Sequence, residues 1–427
     1  MRSMKKIYLQ ILVVTVIFTL VSGFQAFAKI KLRVASGQDV TEIEIRRQIA
    51  ELYAKKNPDV EIEMVYLAGS RFDKQQTMIT AGNAPDILYI NQPFLAVWAT
   101  KGALMDLTPF IQKDGGIKKV FAGIHPKAIE CVTYKGKIWA MPFEFGPMAI
   151  VYNKDLFRKA GVPVPPTSWE DPKWTWEEFI NRAKKLTKDT NGDGRPDQFG
   201  INMDLWDCFR TWLRQAGTDV LNKEGSECLI SPDNPNAVEA FQFMYDTMYK
   251  YKVAPTPIMT SDTPTFSQFM TGKLAMFNYG RWLNTFKSIK DFKWDVGAFP
   301  HQKRSAGFMP VLHYGISTQC KNPEIAWDFL KFLITKEPQV VNSRSGMAVP
   351  VLQAAVKPGL LEAKVVENEQ VWWHAIQYEA PEENHPKYFE YDNVILRELG
   401  NLWLDKATVT QTLKNIEEGV TKILKSE

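Results

Sequence analysis

The sequence predicts an α/β fold, and two observations support this prediction. Between positions 30 and 102, short β-rich apolar runs alternate with stretches whose apolar residues recur at helical spacing. The hydrophobic content of 45% and the charged content of 23% are ordinary for a globular protein. A βαβαβα order predicts a largely parallel sheet with helices on both faces. A length of 427 residues predicts two domains or one large composite domain.

Polar residues follow the first and third predicted strands. Gln38 and Asp39 come after the first strand, and Asn91 and Gln92 come after the third. Because the carboxyl ends of parallel strands meet at a common crevice, we expect these four side chains to hydrogen-bond a polar ligand. The alternative is that they serve as turn and cap residues. The predicted strands are 30–35, 60–67 and 86–90, and the predicted helices are 41–56, 73–81 and a segment that begins at 94 and ends at Gly102.

Later parts of the chain continue the mixture of helices and turns. Lys135-Gly136-Lys137 is typical of a hairpin turn, and Thr175 with Glu178 forms a capping-box pattern at the start of a helix. We predict further helices at 175–186, 236–251, 323–333 and 409–424.

The stretch 265–282 predicts a short helix, a stop at Gly272, a buried strand at 273–277 and a turn at Gly280. This order places Trp282 at the exit of a strand, where ligands of α/β proteins bind. The alternative is that Trp282 belongs to the core.

The N-terminus is typical of an export signal. Arg2, Lys5 and Lys6 precede an apolar run at 7–21 that is short for a membrane-spanning helix, and an A-x-A site at 26–28 follows. We expect cleavage after Ala28, with an uncleaved anchor as the alternative. No Cys directly follows the apolar run, so a lipid anchor is not expected, and we expect a soluble, exported, periplasmic protein.

Charge and cysteine usage narrow the function classes. Removal of three signal cations lowers the net charge from +4 to +1, so nucleic acid is not an expected partner. The chain has four cysteines, of which Cys208 and Cys228 are the best candidate disulfide pair, with buried free thiols as the equal alternative. No C-x-x-C motif indicates zinc or redox chemistry.

One acidic loop has the spacing of a calcium site. Its candidate ligands follow the order of an EF-hand loop, but the twelfth position is Gly200 rather than Glu. We therefore weigh a structural Ca²⁺ against a surface turn held by its own hydrogen bonds. The candidate ligands are Asp189, Asn191, Asp193, Arg195 and Asp197.

Catalytic motifs are lacking. The sequence has no G-x-S-x-G elbow, no H-E-x-x-H pair and no P-loop, so we expect a protein that is not an enzyme and requires no cofactor.

Four blocks in order resemble one known family. They are GNAPDILYINQPFLAVWATKGALMDLTPFI (82–111), GKIWAMPFEFGPMAIVYNKDLFRKAGVPVPPTSW (136–169), FMTGKLAMFNYGRW (269–282) and KNPEIAWDFLKFL (321–333). With the export signal, they resemble the extracellular solute-binding proteins of ABC sugar importers, family 1, which includes maltose-binding protein.

The resemblance implies a two-lobed periplasmic-binding-protein fold (type II) with the ligand cleft between the lobes. It places crossings near 143–146, 296–299 and 345–349. Lobe 1 would then comprise 29–144 and 297–345, and lobe 2 would comprise 145–296 and 346–427. The implied partners are a carbohydrate and the membrane permease subunits of an ABC transporter, and we expect a monomer.

The resemblance also implies a set of sugar contacts. Trp282 matches the aromatic platform of the second lobe, and this chain has Gly146 near the position where maltose-binding protein has a cleft Glu. That departure argues against maltose-like specificity. The further candidates are Trp206, Asp207, Trp372, Trp373, Glu144 and Arg281. For Trp372 and Trp373, packing in the core is the equal alternative. The alternatives are a phosphorylated polyol in the same fold and an exported glycan-active enzyme or lectin.

Overall fold

The computed structural model describes residues 29–37, 39–203 and 208–426. The first three strands are parallel, as the βαβ order predicts. The first strand pairs with the second from Ile30 opposite Val60 to Ser36 opposite Tyr66, and with the third through Val34 opposite Ile87. The strands are β1 (Ile30–Ser36), β2 (Val60–Tyr66), β3 (Ile87–Asn91), β4 (Thr133–Tyr134), β5 (Lys137–Ile138), β6 (Met141–Phe145), β7 (Met148–Asn153), β8 (Met276–Gly280), β9 (Trp294–Gly297), β10 (Gly307–Phe308), β11 (Val311–Ile316), β12 (Val349–Pro350) and β13 (Glu379–Ala380).

The described α-helices cover these strands and connect them. They are α1 (Val40–Lys56), α2 (Arg71–Thr80), α3 (Gln92–Thr100), α4 (Thr108–Lys113), α5 (Ile117–Val120), α6 (Pro126–Cys131), α7 (Lys154–Ala160), α8 (Trp176–Leu186), α9 (Phe209–Gln215), α10 (Pro235–Tyr249), α11 (Pro257–Thr260), α12 (Thr265–Met270), α13 (Pro323–Leu333), α14 (Lys336–Arg344), α15 (Gln353–Ala355), α16 (Gln370–Tyr378), α17 (Tyr388–Trp403) and α18 (Val409–Lys425). Short 3₁₀ and π segments lie at Thr285–Ser288 and Val356–Leu361.

The large sheet has six strands in the order β12-β6-β11-β3-β1-β2. β11 is antiparallel to both of its neighbours, and β12 is antiparallel to β6. The prediction of a largely parallel sheet therefore holds for β1 to β3, but the complete sheet is mixed. The reason is that β11 comes from a distant part of the chain and inserts between β3 and β6, an arrangement that local sequence patterns do not reveal.

A second, antiparallel sheet has the order β8-β7-β9. The chain passes from the large sheet to this small sheet between β6 and β7, at Gly146-Pro147. Two sheets in separate parts of the chain give the molecule its two lobes, and the buried side chains form two core clusters.

The predicted lobe ranges stay predictions. Some hydrogen bonds place segments in the opposite lobe from the one predicted. Residues 298–303 bond to Pro166, Trp174 and Gln215, and β10 pairs with β13, so this stretch packs beside the small sheet. Val351 bonds instead to His125 beside the large sheet. We therefore propose later crossings, near Pro310 and beyond Val351.

Local details agree with the sequence. The β4–β5 hairpin turns at Lys135 and Gly136, both with positive φ. Thr175 caps α8 by accepting a hydrogen bond from the backbone N–H of Glu178. Cys208 and Cys228 are both buried thiols, so the candidate disulfide between them is not formed. The Cys228 thiol contacts the carbonyl of Ile230, and burial raises its pKa to about 12.

None of the helices described is long and apolar enough to cross a membrane.

Candidate functional site

A cavity of about 760 Å³ lies where the two sheets meet. It is lined from the large sheet by Asn91 at the end of β3 and by Glu144 on β6, and from the small sheet by Tyr279 on β8. Asp39, which caps α1 directly after β1, also lines it. The predicted crevice at the carboxyl ends of β1 and β3 is therefore present, and it is closed on its other side by the small sheet.

Trp282 lines this cavity, two residues beyond the end of β8. A Cβ atom on Gly280 would lie 2.4 Å from the indole Cζ3, and one on Gly146 would lie 3.1 Å from Cζ2. Tyr279 contacts the indole edge-on, with ring centroids 5.7 Å apart. Gly280 is thus required for the indole to lie where it does, Gly146 permits its close approach, and Tyr279 packs against it.

A second aromatic group lines the cavity and was not anticipated from the sequence. Phe72 on α2 lies 5.0 Å from Phe94 on α3 and 3.9 Å from Phe389 on α17, measured between ring centroids. The three residues come from distant parts of the chain. The sequence shows only that each is an aromatic residue near the start of a helix. Buried core residues show the same pattern, so it does not identify a binding site.

Glu144 is buried in an ion-paired network behind the cavity. Its Oε2 accepts hydrogen bonds from Arg46 at 3.0 Å and from the Asn342 amide at 2.6 Å. The other terminal nitrogen of Arg46 donates to Asn342 Oδ1 at 2.7 Å. Burial alone would lower the pKa of Arg46, but the nearby acids, Glu144 foremost, raise it by more than burial lowers it. The pKa of Arg46 therefore lies above its usual value. Glu144 therefore faces a permanent cation and is held in one position.

Glu42 and Arg71 form the next part of this network. Arg71 Nη2 lies 3.3 Å from Glu42 Oε2, and Arg46 Nη2 lies 3.6 Å from Glu42 Oε1. The guanidinium of Arg71 also lies over the ring of Tyr89, 5.1 Å from its centroid. Burial, with Asp39 nearby, raises the pKa of Tyr279 to about 12, so that phenol stays neutral. The cavity wall thus combines aromatic rings with fixed carboxylates and a phenol.

Arg281 was predicted as a sugar contact, but the structure places it in the core. Its side chain is 0% exposed and forms two hydrogen bonds with the carboxylate of Glu369, at 3.0 and 3.2 Å. It also donates to the carbonyls of Ser343 and Ala348. These bonds engage all three guanidinium nitrogens, so Arg281 holds distant segments together and does not line the cavity.

Three further candidates lie away from the cavity. Gln92 is buried, donates to the carbonyl of Cys131 and lies 3.1 Å from a ring nitrogen of His313. Trp372 is 0% exposed, and Trp373 packs on the core beside His125. The candidates Gln38, Trp206 and Asp207 lie outside the described residues.

The acidic loop forms the self-bonded turn that was the alternative to a calcium site. Asp189 accepts hydrogen bonds from the backbone N–H groups of Gly192 and Gly194, and Asp197 accepts from Thr190. Asn191 and Asp193 likewise accept from backbone N–H groups two residues on. In the described part of the chain, no three Asp, Glu, His or Cys side chains are gathered to hold a metal ion. The loop as folded therefore satisfies these side chains with its own hydrogen bonds, and calcium binding stays a prediction.

The fold and the cavity together define a two-lobed binding protein with its ligand site at the junction of the lobes. The family model of the bacterial extracellular solute-binding proteins matches residues 37–340. The chain belongs to this family.

Relatives and solved structures agree with this family. The maltotriose-binding protein of Pyrococcus abyssi (strain GE5 / Orsay) is 25% identical over 310 residues, which cover 70% of this chain and 61% of that protein. An ABC substrate-binding protein from Listeria monocytogenes in complex with cycloalternan has a TM-score of 0.80 and 26% identity, covering 92% of this chain and 98% of that one. A maltose-bound T. maritima protein has a TM-score of 0.76 and 24% identity, covering 92% and 99%, and shows the same fold.

Proposed function

We propose that this chain is the substrate-binding component of an ABC importer and captures an oligosaccharide in the cavity between its lobes. The observation that carries this proposal is the presence of two aromatic groups on one cavity. One is Trp282 with Tyr279, and the other is Phe72 with its two phenylalanine neighbours. Two separate stacking surfaces suit a ligand with more than one ring.

The chemistry of the cavity wall suits a sugar. The axial C–H bonds of a pyranose meet the negative face of an aromatic ring, so stacking contributes affinity. Carboxylates such as Glu144 accept charge-assisted hydrogen bonds from hydroxyl groups and contribute specificity. Two of the similar proteins are described by their own ligands, maltotriose and cycloalternan, which are both oligosaccharides.

Delivery follows from the position of the cavity between the lobes. A ligand that contacts both sheets favours the closed arrangement by the contacts it makes only there. The closed form would then be recognised by the membrane permease subunits. In this proposal the protein acts as a monomer without a catalytic step, and it is exported with residues 1–28 removed after Ala28.

A thermal-shift screen of the chain from Lys29 onward tests the proposal. Maltotriose, mannotriose and glycerol 3-phosphate form a minimal panel. Ligand at about 100 times its Kd stabilises the native state by about 2.7 kcal/mol, which a melting curve resolves. We expect an oligosaccharide to raise the melting temperature without releasing free sugar. A shift only with glycerol 3-phosphate would favour the polyol alternative, and release of sugar would favour an enzyme.

A further inference from the structure

The charged groups on the cavity wall are biased toward acid. The lining carboxylates are those of Asp39, Glu42, Glu144 and Glu382. Within the described ranges, the only lining cation is Arg71. A ligand that enters the cavity therefore meets an excess of negative charge, and the sign of the ligand's own charge must affect its binding.

The cations of this region are already engaged by carboxylates. Arg71 contacts Glu42 and lies over the ring of Tyr89. Arg46, which is buried, bonds to Glu144 and lies within ion-pair distance of Glu42. The hydrogen bond from Arg71 to Glu42 uses Nη2, so an anionic ligand that approaches this guanidinium group also meets the Glu42 carboxylate beside it and is repelled.

Glu42 has an acceptor that lacks a donor. Its side chain is 3% exposed and lines the cavity, and no hydrogen-bond donor among the described residues reaches Oε1. Arg46 Nη2 lies 3.6 Å from this oxygen, beyond a hydrogen bond. A buried acceptor without a donor is unfavourable, so a ligand that supplies a hydroxyl or ammonium group is favoured there. A ligand group that can only accept, such as a carboxylate or phosphate, leaves Glu42 Oε1 unsatisfied.

Glu144 adds a second carboxylate to the cavity wall. Both of its side-chain hydrogen bonds, from Arg46 and from Asn342, go to Oε2. Asp39 is different, because its Oδ1 already accepts from the backbone N–H groups of Thr41 and Glu42 at the start of α1. Glu42 and Glu144 are thus the two acidic groups positioned to favour ligands that donate hydrogen bonds over ligands that carry negative charge.

We propose that Glu42, supported by Glu144, makes this site selective for neutral or amine-bearing oligosaccharides and excludes anionic ones such as uronate or phosphate sugars. This inference rests on the proposed function, because it specifies the class of saccharide that the same cavity accepts. Discrimination of this kind is strong when a site is built to hydrogen-bond a donor and the competing ligand lacks it.

The test uses three forms of the best oligosaccharide found in the thermal-shift screen, or of maltotriose if none is found. One form is unmodified, one has its primary hydroxyls oxidised to carboxylates, and one has them replaced by amines. Isothermal titration at pH 7 and low salt should show the amine form binding at least as tightly as the unmodified sugar. The carboxylate form should bind at least about tenfold more weakly. Equal binding of the carboxylate form would overturn the inference, and so would equal weakening of both modified forms.

Two further measurements assign the effect to Glu42. Glu42→Gln should reduce the ratio of the Kd of the carboxylate form to the Kd of the unmodified sugar. Glu418 is an exposed acid on α18, and Glu418→Gln should leave this ratio unchanged. If the Glu42 variant does not fold, a salt series on the native protein replaces it, because screening should weaken the penalty on the carboxylate form. An unchanged ratio in the folded variant, or in the salt series, would contradict the inference. Binding of none of the three forms would refute the proposed function itself.

Discussion

Replacing Trp282 by alanine removes the aromatic surface for which Gly280 and Gly146 leave room and against which Tyr279 packs. The indole is partly exposed, and at most about a third of its roughly 200 Å² can be covered by a ligand. At about 25 cal/mol per Å², covering about 60 Å² contributes about 1.5 kcal/mol. Trp282→Ala should therefore weaken binding of the preferred oligosaccharide roughly tenfold, and Trp282→Phe should weaken it less.

The assay is isothermal titration with a parallel thermal melt. Trp403→Ala is the matched control, because Trp403 is also partly exposed but lies on α17 away from the cavity. Both alanine variants should lose some stability, but less than the 3–5 kcal/mol typical of a fully buried Trp. Only the Trp282 variant should lose affinity. Native affinity in a folded Trp282→Ala protein would refute the reasoning, and its failure to fold would show that Trp282 is a core residue.

Three other predictions concern stability. Arg281→Met leaves the carboxylate of Glu369 buried without its cation, so the free energy of unfolding in a urea titration should fall by about 3–5 kcal/mol; a change below 1 kcal/mol would contradict the core role. Burial lowers the pKa of His313 from 6.5 to about 3, so the folded protein keeps this imidazole neutral while the unfolded chain protonates it below pH 6.5. The free energy of unfolding should therefore be unaffected by this group above pH 6.5 and should fall by on the order of 4 kcal/mol as the pH falls toward 3. His313→Gln should flatten this decline, and the exposed His374→Gln should not. EDTA should leave the melting temperature unchanged, because Asp189 is satisfied by backbone N–H groups, and a lowered value would restore the calcium alternative.

Elements with strong local patterns could be predicted closely from the sequence. The helix predicted at 323–333 is α13, with the same bounds, and the strand predicted at 60–67 is β2, one residue shorter. Hydrophobic spacing and caps act over a few residues, so they are visible without the fold. The strand predicted at 273–277 is displaced to Met276–Gly280, because residues 273–275 connect the turn at Gly272 to the sheet and Leu274 forms only an isolated bridge with Phe199.

Features that depend on distant partners could not be predicted in the same way. Arg281 was expected to hydrogen-bond sugar hydroxyls in the cleft, but Glu369 neutralises it in the core. The antiparallel β11 and the contact between Phe72 and Phe389 likewise join segments that are far apart in the chain. Asp39, Asn91 and Trp282 were expected at the cleft because strand ends identify them locally, and they do line the cavity. Glu144, expected from the family resemblance, lines it too. Their contact with a ligand stays a prediction.

The most direct test of the central claim is a crystal structure of the protein soaked with the oligosaccharide that raises its melting temperature most. Difference density should show a pyranose ring stacked on the indole of Trp282 and a hydroxyl group within hydrogen-bond distance of Glu42 Oε1. Sugar density elsewhere on the protein, with this cavity holding only water, would contradict the account.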